Sequence, residues 1–209
     1  MFESFMNEPY PLRSMTLTGQ GRVTSDPDVA VIRLGVQSSG TDLAVIQSQN
    51  AQISQSILDA LQRMGITDIK TFQYTIDKIY DYENGTQIDR GYAVRNILEI
   101  KTGDMELIGE IIDTAVNAGA NLVDLISFEM ANPDLYYQQA LNLAVMNAIE
   151  KARSISRNLG IQVDPIPRSI VENSSMIRPP QPFQREMAAT PIVPGNVEIE
   201  AFVTAEFQY

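Results

Sequence analysis

Neither histidine nor cysteine occurs in the 209 residues, so any chemistry must come from Asp, Glu, Lys, Arg, Tyr, Ser and Thr. This removes thiol nucleophiles, Cys/His zinc sites, Ser-His-Asp triads and imidazole acid–base catalysis. The carboxylates nearest to turns or strand ends are Asp26, Asp28, Asp124 and Asp134. A carboxylate pair can hydrolyse glycosides, but only at a set separation inside a cleft. No such pair is visible here. Asp26 reads as a turn former. Asp134 reads as a first-turn helix residue that the helix dipole favours.

Three other features have a chemical flavour. Gly19-Gln20-Gly21 resembles a phosphate-binding fragment, but its glycines lie inside a strand that another strand follows. A dinucleotide fingerprint needs a strand before it and a helix after it. Glycine in a strand instead marks a bulge or a close approach of backbone. Asp81-Tyr82-Glu83-Asn84-Gly85 has the residues of a calcium loop, yet Gly85 is fifth rather than sixth and position twelve is Tyr92. A polar hairpin turn is the better account. Asn50 interrupts an apolar helical stripe. It is either a ligand contact or a buried amide satisfied by neighbouring backbone, and the second is more usual. No catalytic, cofactor or metal residue is therefore assigned.

Lys and Arg number 15 against 26 Asp and Glu, for a net charge of −11. Nucleic-acid binders need cations to displace phosphate counterions, so no nucleic acid is expected as partner. An anionic membrane surface would repel the chain as well. No stretch approaches the roughly 20 apolar residues of a membrane helix, so no membrane span is expected. The first residues, Met1 to Pro9, lack a basic region and an apolar core. As written, the chain is expected in the cytoplasm. Removal of a leader would place it in the periplasm or cell envelope. With 44% hydrophobic residues, the chain suits one globular domain or two small halves.

Three segments repeat with helical period. Asp42 to Met64 carries Leu43, Ile46, Ile53, Ile57, Leu61 and Met64 on one side, with Gly65 at its end. The second runs from about Asp104 to Ala118 and stops at Gly119. Pro133 to Leu159 follows Asn132 as N-cap and closes at Gly160. Its Ala140, Ala144, Ala148 and Ala152 line one face, a surface for close packing. Met15–Val23 and Val29–Gln37 are predicted to form a hairpin around Pro27. Lys70–Tyr82 and Tyr92–Lys101 form a second, whose loop contains Asn84-Gly85 but is read as longer than two residues. Leu122–Met130 and Pro167–Asn173 are single strands. The final strand alternates, with Val197, Ile199, Ala201, Val203, Ala205 and Phe207 opposed to Glu198, Glu200, Thr204 and Glu206. The predicted class is α+β, with antiparallel sheets and helices packed on one face, in the order ββ-α-ββ-α-β-α-β-β. Residues 1–14 form an N-terminal tail. Residues 15–209 form the domain, with a Pro-rich loop over 174–194.

Several stretches, taken in order, resemble the SIMPL-domain family. They are Gly19-Gln20-Gly21-Arg22-Val23 with Pro27-Asp28-Val29-Ala30, Gly65-Ile66 through Asp68-Ile69-Lys70-Thr71, and Gly91-Tyr92-Ala93-Val94-Arg95-Asn96. Gly119-Ala120 with Ile126-Ser127-Phe128, the alanine-spaced helix ending at Leu159-Gly160, and Pro191-Ile192-Val193-Pro194-Gly195 before the last strand complete the match. The resemblance spans about residues 15–209. It implies a protein that assembles and binds rather than catalyses. Bacterial members are often periplasmic or envelope proteins, some linked to oxidative stress. One relative forms a large ring with a channel-like centre, and a mammalian namesake associates with a kinase. The resemblance therefore implies a self-assembling structural or scaffold protein, with itself as partner. An adaptor for another protein in signalling or stress response is the alternative, and a carboxylate-based enzyme is the second. Apolar and aromatic residues in the Pro-rich segment, the tail and the second hairpin are the expected oligomer contacts: Met176, Pro179, Pro180, Phe183, Met187, Phe2, Phe5, Tyr80 and Tyr82.

Overall fold

The computed structural model describes residues 13–173, 176–178 and 194–209. Along the chain the elements are β1 (Ser14–Ser25), β2 (Val29–Gly40), α1 (Leu43–Arg63), β3 (Ile69–Glu83), β4 (Thr86–Thr102), α2 (Ile108–Asn117), β5 (Leu122–Glu129), α3 (Pro133–Leu159), β6 (Ser169–Glu172), β7 (Met176–Arg178) and β8 (Val197–Gln208). The architecture is α+β with two antiparallel sheets, as the periodicity predicts. The short β7 is an addition, inside the segment expected to be loop. Two compact units emerge among the described residues. One holds 13–25, 132–173, 176–178 and 198–209, and the other holds 26–131 and 194–197.

The first unit pairs β1, β8 and β6 in that order, with β7 also on β8. Its apolar cluster joins Ala144, Ala148 and Ala152 of α3 to Val203, Ala205 and Phe207 of β8. Helix α3 lies on β1, and the reason is visible atom by atom. A Cβ at Gly19 would fall on the carbonyl oxygen of Ala144, and one at Gly21 on that of Ala140. Glycine opposite alanine brings backbone nearly to backbone. Lys151 Nζ then donates to Thr18 O at 2.8 Å, and Gln20 N donates to Asn147 Oδ1 at 3.2 Å. Asn132 caps the start of α3 by accepting from Leu135 N, and Gly160 ends it in the left-handed conformation.

The second unit orders its strands β3-β4-β2-β5. Ala30, Ile32, Leu34 and Val36 of β2 join Leu98 and Ile100 of β4 beneath Ile57 and Leu61 of α1 and Ile108, Ile111 and Ala115 of α2. Each large aliphatic side chain so buried contributes about 1.5–3 kcal/mol of transfer free energy. Asp42 caps α1, its carboxylate accepting from Ala44 N and Val45 N. Helix α2 begins at Ile108, later than the periodicity predicts. Thr102 Oγ1 accepts from Asp104 N and Asp104 Oδ1 from Glu106 N, so local turns occupy residues 104–107.

The predicted hairpin of β1 with β2 does not form. β1 pairs with β8 in one sheet, and β2 lies between β4 and β5 in the other. Alternation reveals a strand but not its partner, and Pro27 carries the chain from one sheet to the other. The second hairpin does form, with a tighter turn than expected. β3 ends at Glu83 and β4 begins at Thr86, leaving only Asn84-Gly85 between them. Both have positive φ, 51° and 78°, the conformation a two-residue type I′ turn requires.

Candidate functional site

Among the described residues, the β3–β4 ribbon runs past its sheet and exposes large side chains. β4 pairs with β2 only from Thr102 back to Tyr92, where Gly40 of β2 stands opposite. Beyond that point β3 and β4 continue, among the described residues, as two strands alone, to the Glu83↔Thr86 pair at the tip. Gly91 sits where the third strand is lost. Its φ is 98°, and a Cβ there would strike the carbonyl of Gly40, so only glycine fits. Gly91 N also donates to Asp89 Oδ1 at 2.8 Å.

Free two-stranded ribbons are marginal in water, and ion pairs brace this one. Lys78 Nζ lies 2.8 Å from Asp89, and Arg90 reaches Glu83 at 2.6 Å and Asp81 at 3.3 Å. The Lys78 ammonium also lies 5.5 Å from the Tyr80 ring centre and 5.8 Å from that of Tyr92. Its hydrogen bond to Asp89 raises the Lys78 pKa, and the same bond lowers that of Asp89. These charges are exposed, so salt will screen them.

β3 is also the edge of its sheet, and its exposed side chains are large. Phe72, Tyr74, Ile76 and Tyr80 are between 41% and 46% exposed, and Tyr82 is 70% exposed. Native edge strands are usually short, charged or covered; this one carries an apolar and aromatic row.

At the base of the ribbon, Glu99 is buried at 5% exposure. Arg33 and Lys70 hold it at 2.8 and 3.0 Å, and the Arg33 guanidinium stacks on Phe72 at 3.6 Å from the ring centre. Burial pushes the Glu99 pKa up, but the hydrogen bonds and charges of Lys70 and Arg33 outweigh it, leaving the carboxyl below its ordinary value. The group therefore stabilises the fold above the pKa of the unfolded chain, and that contribution is lost as pH falls through the folded value. Glu99→Gln should cost about 2 kcal/mol at pH 7, the scale of hydrogen bonds to a charged group. Urea unfolding at pH 7 and again below pH 4 should show the gap to the parent chain closing in acid.

Two of the carboxylates singled out in the sequence are engaged in structural contacts. Asp28 Oδ1 accepts from Ala131 N at 2.6 Å, and Asp124 pairs with Arg95 at 2.7 Å. Asp134 lies in the first turn of α3. Among the described residues, no group of three or more acidic side chains is placed to hold a metal ion. Glu200, read as part of the polar row of the last strand, is instead buried. Gln20 Nε2 donates to it at 2.9 Å and Arg22 at 2.8 Å. An open depression of about 470 Å³ lies at the end of α3, lined by Arg153, Ser156, Arg157 and Gln162 among others. There Ser156 Oγ and Arg157 Nε both donate to Arg153 O, so part of the polar lining is already used.

Of the expected contact residues, Tyr80 and Tyr82 lie exposed on the ribbon. Met176 opens β7, opposite Glu200 in the ladder. Phe2, Phe5, Pro179, Pro180, Phe183 and Met187 fall outside the described residues. The structure adds Phe72, Tyr74 and Ile76 to the two tyrosines. Their period-two spacing was visible in the sequence, but alternation alone does not say whether the apolar side meets a core.

Comparison with known proteins places these observations in a lineage. The family profile described as "SIMPL: Protein of unknown function (DUF541)" matches residues 15–207. A 26 kDa periplasmic immunogenic protein of Brucella melitensis is 28% identical over 191 residues, covering 85% of this chain and 75% of the relative. The uncharacterized protein YggE of Edwardsiella ictaluri is 29% identical over 178 residues, covering 83% and 73%. YggE of Escherichia coli K12 is 27% identical over 152 residues, covering 71% and 61%.

Proposed function

The chain belongs to the SIMPL family, and from that premise we propose that it is a self-assembling structural protein of the bacterial cell envelope. The observation that carries the reading is the β3–β4 ribbon, which extends past β2 and shows Tyr74, Ile76, Tyr80 and Tyr82 to solvent. An apolar, aromatic edge on an otherwise acidic chain is an association surface. Assembly is the role, and a closed ring or channel-like homo-oligomer is the form, since identical contacts repeated around an axis leave no edge unmatched. The Pro-rich segment with Pro179, Pro180, Phe183 and Met187, together with Met176 and the tail residues Phe2 and Phe5, supplies further contacts between copies.

The expected compartment is the periplasm rather than the cytoplasm. The Brucella relatives are named as periplasmic proteins. A chain without cysteine is indifferent to the redox state there.

Sedimentation at micromolar concentration should give a species several times the 23.2 kDa monomer mass. A clean monomer overturns the reading. Deleting residues 176–189 should reduce the assembled fraction; an unchanged oligomer would remove that segment from the interface. Fractionation of cells making the native gene product should place it with periplasmic markers.

A further inference from the structure

The edge of β3 has a property that selects its partner: it is self-complementary in one antiparallel register. In an antiparallel ladder, hydrogen-bonded and non-hydrogen-bonded pairs alternate. A two-fold axis between two copies of one strand must therefore pass through a residue facing its own copy.

The β3–β4 ladder is irregular between Thr71 and Gln73 and again between Ile79 and Tyr80, and runs evenly from Gln73 to Ile79. Each residue of that even run can be tried as the axis. Asp77 or Lys78 there would set like charges face to face. Tyr74 would oppose Lys70 to Lys78, and Ile79 would oppose Asp77 to Asp81. Gln73 and Thr75 avoid like charges but set part of the even run against the irregular stretch around Phe72. Ile76 is the midpoint of the even run Gln73–Ile79, and also of Ile69–Glu83, so it pairs that run with itself residue for residue. Around it, Ile76 meets Ile76 of the second copy, Tyr74 meets Lys78, and Thr75 meets Asp77. No like charges are opposed. Tyr74 would add a ring beside the ammonium that already faces Tyr80 and Tyr92.

We propose that two copies of this chain join by antiparallel pairing of their β3 edges about a two-fold axis at Ile76, merging two four-stranded sheets into one. The pairing rests on the self-assembly reading above and names one of its contacts: a two-fold contact closes on two copies, so a ring is built from such pairs through a second, different contact. It satisfies the outward backbone groups of β3 and covers Tyr74 and Ile76, which are 46% and 41% exposed in the single chain. Among the described residues, the β3–β4 ladder and its own ion pairs steady the ribbon beyond Tyr92, and the second copy would give it a third strand.

The chain has no cysteine, so an introduced thiol is unique. Residues directly opposed across an antiparallel pair have Cα atoms about 4.5–5.5 Å apart, within disulfide reach. Ile76→Cys, oxidised with glutathione disulfide, should give a disulfide-linked dimer at a yield roughly tenfold above Gln73→Cys, which faces Ile79 rather than itself. The double variant Gln73→Cys/Ile79→Cys should cross-link as readily as Ile76→Cys. Circular dichroism checks that each variant folds, which the exposure of position 76 favours. Equal cross-linking of Ile76→Cys and Gln73→Cys overturns the register. An oligomer that sediments intact while Ile76→Cys stays unlinked overturns this contact and leaves self-assembly standing. A monomer with no cross-link overturns both.

Discussion

Gly21→Ala should lower stability by about 3 kcal/mol, the upper part of the range for forcing extra volume into packed structure. A single methyl has this effect because of what it meets. The new Cβ would sit on the carbonyl oxygen of Ala140 and crowd the Ala144 nitrogen and the Leu143 Cβ. These are backbone atoms and a Cβ, so no flexible side chain can swing away. Strand β1 and helix α3 would have to separate, which would stretch the Lys151–Thr18 and Gln20–Asn147 hydrogen bonds as well. Thermal unfolding should show a midpoint lower by roughly 6–12 °C, given the usual conversion for a domain of this size. Gly109→Ala is the matching control. Gly109 lies in helix α2 with nothing near its missing Cβ, so the substitution should stabilise by up to about 1 kcal/mol. If Gly21→Ala unfolds with the parent chain, the close contact of β1 with α3 is wrong.

Asn50→Ala should cost about 3 kcal/mol, combining the lost hydrogen bonds of a buried amide with a small cavity. Asn50 is fully buried. Its Nδ2 donates to Val36 O at 3.2 Å and to Val94 O at 3.0 Å, and its Oδ1 faces Ser54 Oγ at 3.5 Å. Ser54 Oγ in turn accepts from Asn96 Nδ2 at 2.9 Å. One amide thus pins α1 to two adjacent strands, and its place in an apolar stripe is structural. Asn50→Asp should be worse, because a carboxylate offers those carbonyls no donor and would be buried without a cation. Urea denaturation of the two variants checks both the size and the order. An Asn50→Asp protein as stable as the parent would mean that water reaches this position.

Much of this arrangement was legible before any coordinates. The three helices end at Gly65, Gly119 and Gly160, all with positive φ, because helix C-termini favour a residue free to turn left-handed. Asn132 and Pro133 mark the start of α3 for equally local reasons. The reading of Gly19 and Gly21 as a close backbone approach, and of Asn50 as a satisfied buried amide, also agrees with the structure. Each rests on chemistry confined to a few residues.

Long-range pairing is a different matter. Pairing β1 with β2 assumed that neighbours in sequence pair in space, whereas β1 found β8 at the other end of the chain. Glu200 was placed on a polar row by its period, yet Gln20 and Arg22 hold it inside. On β3 the sequence leaves Tyr80 and Tyr82 equally open to a contact surface or to core packing, and the structure exposes both, with Phe72, Tyr74 and Ile76 beside them.

Element types, most of their ends and the lack of thiol and imidazole groups follow from the residues alone, since propensity, capping and composition act locally. Which strands pair, which carboxylates are buried against cations and which apolar row faces water emerge from the folded arrangement. Those depend on contacts between residues far apart in the chain, where a side chain's energy is set by its neighbours in space rather than by its own type.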